Sequence, residues 1–203
     1  NLILLCEYIE NMLMGYQSAQ CASGVGYLPM PQPAINVQFY LMQIAQVIEK
    51  IGYMPLNQEG FVIYVEKSPA AISVAESEQI PKEISYKMIS YNHHSMRGNL
   101  QEKKNTILKL AELLEAKRTE LAKVDSKFCS GIFYLFNNLN IRHNNVDPSI
   151  NGKFKQAVAD MPPEKLEHWY DETYQMCLLA FLRLEQADRK IEFDKLKSII
   201  ESN

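Results

Sequence analysis

Apolar residues recur along most of this chain at intervals of three and four, the spacing that lays one side of an α-helix against a core. The strongest run follows Asp125 or Ser126, either of which predicts a helix N-cap. Phe128, Ile132, Leu135, Phe136 and Leu139 then share one face, and Phe133 and Tyr134 widen it. A helix apolar over so wide an arc is expected near the centre of the packing. The same spacing predicts a helix over residues 2–18, with Leu2, Leu5, Cys6, Ile9, Met12, Leu13 and Tyr16 inward, and another over 35–51 that stops at Gly52. Pro69 and Pro81 open short helices to about 76 and 94. Asn99, three residues before Glu102, resembles a capping box for a long helix over 100–123. Pro162 and Pro163 lead into a helix over 164–187 that is apolar nearly all round, and 191–201 reads as a short closing helix.

The strand-like run is Gly60 to Glu66, whose β-branched and aromatic residues can pair with 53–56 as a hairpin, make an edge contact or simply connect. The expected fold class is all-α, a helical bundle of about six to eight helices with at most a minor extended or hairpin element near residues 53–66. A single domain over 1–203 is expected, the alternative being N-terminal helices and arm (1–80) followed by a C-terminal bundle (81–203). Gly24, Gly26, Pro29, Pro31 and Pro33 break residues 20–33 into a loop or extended arm. Without a Walker lysine, Gly-x-Gly there does not make a phosphate loop.

A 203-residue chain with 47% hydrophobic and 22% charged residues can bury a substantial core. Its net charge of −3 argues against a broad nucleic-acid surface but leaves room for a local basic site. Cys6, Cys21, Cys129 and Cys177 are widely spaced, which predicts reduced thiols, no zinc site and a cytoplasmic protein. Leu2 to Leu5 are too short an apolar run to span a membrane.

Chemistry concentrates after the central helix. Asn137, Asn138, Asn140, Asn144 and Asn145 crowd nine positions although Asn is a poor helix former, so they are expected to hydrogen-bond something. On one reading these amides and Arg142 satisfy the carbonyls of a helix end and tie down the loop before Pro148. On the other, Arg142, His143 and the amides line a pocket for an anion such as phosphate. His93 and His94 either complement a helix dipole or contribute one imidazole to a functional site. Glu164, His168 and Glu172 share a helix face, either as acids favoured by the helix N-terminus or, with His93 or His94 and His143, as ligands of a metal-dependent bundle enzyme.

An apolar helix ending in Arg142-His143 resembles the HEPN superfamily, helical nucleotide- or RNA-associated domains common among prokaryotic toxin and phage-defence proteins, over about residues 80–200. The chain resembles more loosely uncharacterised bacterial proteins of abortive-infection type. The HEPN hallmark is Arg, a polar residue, and a His four to six positions after the Arg; here Val146, Asp147 and Pro148 stand where that His belongs. The resemblance implies an interface-built, metal-independent RNase site in which Arg142 steadies a phosphate and His143 serves as the acid or base. A homodimer is expected, with Asn138, Asn144, Asn145 and His94 as candidate ligand-binding residues. The departure at 146–148 leaves open whether the protein is an enzyme or binds RNA or nucleotide without cleaving it. No cofactor, metal or membrane partner is expected. The alternative is a non-enzymatic interaction or oligomerisation module whose partner surface is the apolar final helix.

Overall fold

The computed structural model describes residues 2–22, 36–78, 80–150 and 152–202, and within it the chain forms two compact units, 1–67 and 68–203. The boundary falls at Lys67–Ser68, where the hairpin ends and a serine-capped helix begins. Most of the arm expected over 20–33, with its glycines and prolines, lies outside the described residues, as does the Cys21 side chain.

The first unit consists of α1 (Leu2–Ala22), α2 (Val37–Lys50) and an antiparallel hairpin, β1 (Tyr53–Gln58) and β2 (Phe61–Glu66). Of the three arrangements open to Gly60–Glu66, the structure adopts the hairpin. Glu59 and Gly60 both take positive φ, 51° and 91°, which matches the twist of a two-residue turn. The outer edge of β2 is covered by side chains of α1. The Asn11 amide both donates to the Val62 carbonyl and accepts from the Val62 N–H, each at 2.8 Å, and Glu7 accepts from the Tyr64 N–H at 2.7 Å. Ile3, Cys6, Ile48, Val62 and Tyr64 form the core of this unit. Leu2, Leu5, Met12 and Tyr16, expected inward, are exposed, because α1 is covered along only a narrow stripe. Gly52 stops α2 as expected, at φ 82° with its N–H bonded to the Glu49 carbonyl.

The second unit is helical: α3 (Pro69–Ala75), α4 (Lys82–Ser90), a 3₁₀ turn (His94–Met96), α5 (Leu100–Ala116), α6 (Arg118–Val124), α7 (Ser126–Asn138), α8 (Gln156–Ala159) and α9 (Pro163–Glu201). Together with the first unit this makes nine α-helices among the described residues, an all-α fold with one hairpin as its extended element. Ser68, Asn99 and Asp125 cap α3, α5 and α7 through their side chains. The helix expected over 100–123 breaks at Lys117, whose ψ of 10° starts a new axis so that Leu114 and Leu121 both reach the core. The helix expected to reach His94 stops at Ser90. By contrast, 164–187 and 191–201 are one 39-residue helix, since no glycine or proline lies between Pro163 and Glu201.

α9 is the axis on which α3, α5, α6 and α7 pack. Tyr170, Tyr174, Cys177, Leu178 and Phe181 from α9 meet Ile107, Leu110 and Leu114 from α5 and Ile132, Phe133 and Phe136 from α7. Burying each such side chain contributes on the order of 1.5–3 kcal/mol. Among the described residues, no helix is long and apolar enough to cross a membrane.

Candidate functional site

At Leu139 the last turn of α7 ends, and residues 139–150 and 152–155 fold back as a loop. Its first bend is at Asn140, φ 55°, a left-handed conformation that asparagine tolerates better than most residues. Asn145 holds the loop closed from inside. Fully buried, it accepts a hydrogen bond from the Asn140 N–H at 2.8 Å and donates to the carbonyls of Asn137 at 3.2 Å and Lys153 at 2.7 Å. The Asn140 side chain accepts from the Asn145 N–H at 3.3 Å, so the two asparagines clasp each other. The Asn138 amide donates back to the Tyr134 carbonyl at 2.8 Å, and the Arg142 N–H binds the Phe136 carbonyl at 3.0 Å. Asn138, Asn145 and the Arg142 backbone therefore bond this corner internally, whereas Asn144 is exposed.

The Arg142 guanidinium forms an ion pair with Glu115, in the last turn of α5, and lies 5.7 Å from the centroid of the Phe133 ring. Arg118 shares both partners, 3.3 Å from Glu115 and 4.5 Å from the same ring. One carboxylate thus serves two guanidiniums over one aromatic face. His143 is half-buried, and its pKa falls below the usual imidazole value through burial first, then through the charges of Lys153 and Arg142. The shift favours the neutral imidazole, the form that accepts a proton. Lys104, near the start of α5, meets the same loop at Asn140, its Nζ 3.5 Å from the carboxamide oxygen, and burial lowers its pKa.

His94 belongs to the turn that leads into the first turn of α5, whereas Arg142 engages the last. About 25 Å of helix separates these two ends. The His94 ring lies 4.1 Å from that of His93, whose Nδ1 bonds Ser95 Oγ at 2.7 Å. Of the residues singled out by sequence, Asn138, Arg142, His143, Asn144 and Asn145 share this loop corner, and His94 lies at the opposite end of α5 from the Arg142–Glu115 pair.

A second polar cluster was not legible as a site. Lys103, its side chain 6% exposed, donates to Asp171 at 2.7 and 2.9 Å and pairs with Glu167 at 2.8 Å; the Tyr91 hydroxyl donates to Asp171 at 2.8 Å. Glu167 also accepts from the Gly98 N–H at 2.7 Å, and these bonds hold its carboxyl below the usual range. Tyr91 stacks on Tyr174 at 3.9 Å, and burial pushes its hydroxyl far above the ordinary phenol range. The signal was a lysine on the Thr106–Ile107–Leu110 stripe of α5, a charge at a core position. With every charge opposed, the cluster joins α5 to α9.

No protein-family model, no curated protein and no solved structure matches this chain.

Proposed function

We propose that the corner between α7 and α8 binds a phosphate-bearing ligand, RNA or nucleotide, and that the protein serves in bacterial phage defence. The observation that supports the binding is that the loop closed by Asn145 on the Lys153 carbonyl holds Arg142 and half-buried His143 on one corner, where burial and the charges of Lys153 and Arg142 lower the imidazole pKa. Gathering like charges at a partly desolvated place costs free energy that an incoming anion relieves. Lys104 adds a further cation, and exposed Asn144 adds amide donors. The place in phage defence rests on the resemblance of Arg142-His143 to HEPN domains.

Binding without cleavage fits this geometry better than nuclease chemistry. Arg142 is already paired with Glu115, and Val146, Asp147 and Pro148 supply no second imidazole. Fluorescence anisotropy of labelled single-stranded RNA tests the reading. His143→Ala and Lys153→Ala are each expected to weaken binding about three- to tenfold while the helical circular dichroism is kept. RNA that fails to bind the wild type, or binds both variants equally, refutes it. Cleavage that survives a chelator and vanishes in His143→Ala would instead establish a metal-independent nuclease.

A second reading, an oligomerisation module, is favoured by the end of α9. Phe193, Leu196 and Ile200, at i, i+3 and i+7, are 62%, 54% and 66% exposed, the spacing of a coiled-coil seam. Light scattering tests it: a dimer that Leu196→Lys converts to a monomer supports this reading, and a monomeric wild type removes it.

A further inference from the structure

Within the first unit, α1, α2 and the hairpin enclose a recess of about 240 Å³. Its walls are largely apolar, from Ala45, Ile48, Met54 and Pro55, and Glu10, Glu49 and Lys67 stand around it. Two polar groups here are unmet. Glu10 is half-buried and, among the described residues, has neither a hydrogen bond nor an ion pair; burial alone raises its pKa. The Tyr64 ring, 1% exposed, forms part of the same wall, and among the described residues its sealed hydroxyl has no hydrogen-bond partner. A buried polar group without a partner is disfavoured, and a native fold that keeps one is marked for explanation.

We propose that this recess binds a small primary ammonium compound with an apolar body, seated with its charge on Glu10. The lining decides the sign of the ligand: two carboxylates face one ammonium, that of the exposed and flexible Lys67. An organic cation supplies the charge that the Glu10 carboxylate lacks and brings N–H donors that this carboxylate accepts. The volume admits a body of a few carbons, and Ile48, Met54 and Pro55 offer it apolar contact. The site lies in the first unit, is independent of the anion corner, and takes the opposite charge.

n-Butylamine is the probe, with n-butanol and butyrate as the neutral and anionic counterparts, titrated into the full ¹⁵N-labelled chain. The expected result is saturable shifts of the Ile48, Tyr53, Met54 and Tyr64 amides by the amine, with a Kd of about the millimolar order. Butanol and butyrate are expected to produce none. Glu10→Gln, which keeps the shape of the side chain, is expected to weaken amine binding at least about tenfold. Unchanged dispersion elsewhere in the spectrum verifies that Glu10→Gln leaves the fold intact. No saturable shift below about 50 mM amine, equal binding of butanol, or undiminished binding by Glu10→Gln overturns the proposal.

Discussion

Replacing Asn145 by Ala removes the three hydrogen bonds of a fully buried side chain and strands the Asn140 N–H and the Asn137 and Lys153 carbonyls. The expected cost is about 3 kcal/mol, read as a lower denaturation midpoint with an unchanged slope. Asn144→Ala, at an exposed position, is expected to stay within about 0.5 kcal/mol of wild type. His143 gives a second expectation at this scale. Its folded pKa lies below the unfolded value, so around and below pH 6.5 the unfolded chain binds more protons than the folded one. Stability is therefore lost as pH falls through the unfolded pKa toward the folded one, and His143→Gln is expected to remove that part of the slope. Proton NMR should show the imidazole titrating below the usual value and moving up when phosphate binds. Arg142 and His143 were legible because so many asparagines at a helix end contradict helix propensity and ask for a purpose. Glu115, Lys104 and Lys153 were not. Their proximity depends on the return path of the loop, which is set by Asn145 reaching a carbonyl eight residues away.

At the scale of elements, helix starts were the most legible feature, because caps act locally: Ser68, Asn99 and Asp125 each accept from a backbone N–H three residues on. Glu102 does not complete the reciprocal half of a capping box; its carboxylate takes the Asn105 amide at 3.4 Å instead. Breaks and fusions were less legible. Lys117 ends a helix without any helix-breaking residue, since the bend is set by where Leu114 and Leu121 must pack. The Asp188-Arg189-Lys190 run looks like a linker but continues α9, because nothing in it opposes helix. The join between α5 and α9 also gives an expectation. Lys103→Met preserves most of the buried volume but leaves Asp171 and Glu167 without their cation, at an expected cost of about 1–3 kcal/mol. The additional replacement Asp171→Asn should recover part of that loss, which a double-mutant cycle measures.

For the whole molecule, a net charge of −3 confines any polyanion to a local patch. If two or three phosphates are met by Lys153, Lys104 and Arg142, the logarithm of RNA affinity should fall against the logarithm of salt with a slope of about −1.4 to −2. A much steeper slope would demand a basic surface that this composition does not supply. The predominance of helix was legible from periodicity alone. A division into N-terminal helices and a C-terminal bundle was legible as an alternative, but with its boundary at 80 rather than 67, because the stretch 53–67 looks too short to matter until its hairpin gives α1 and α2 something to pack on. That hairpin carries a hazard that the fold contains. The outer row of β2 is what another chain would need in order to add a strand, and Asn11 and Glu7 already occupy it, acting as a side-chain substitute for the missing neighbour. Asn11→Leu should therefore show itself less in the melting temperature than in growth of thioflavin-positive assemblies, an expected consequence of uncovering a template.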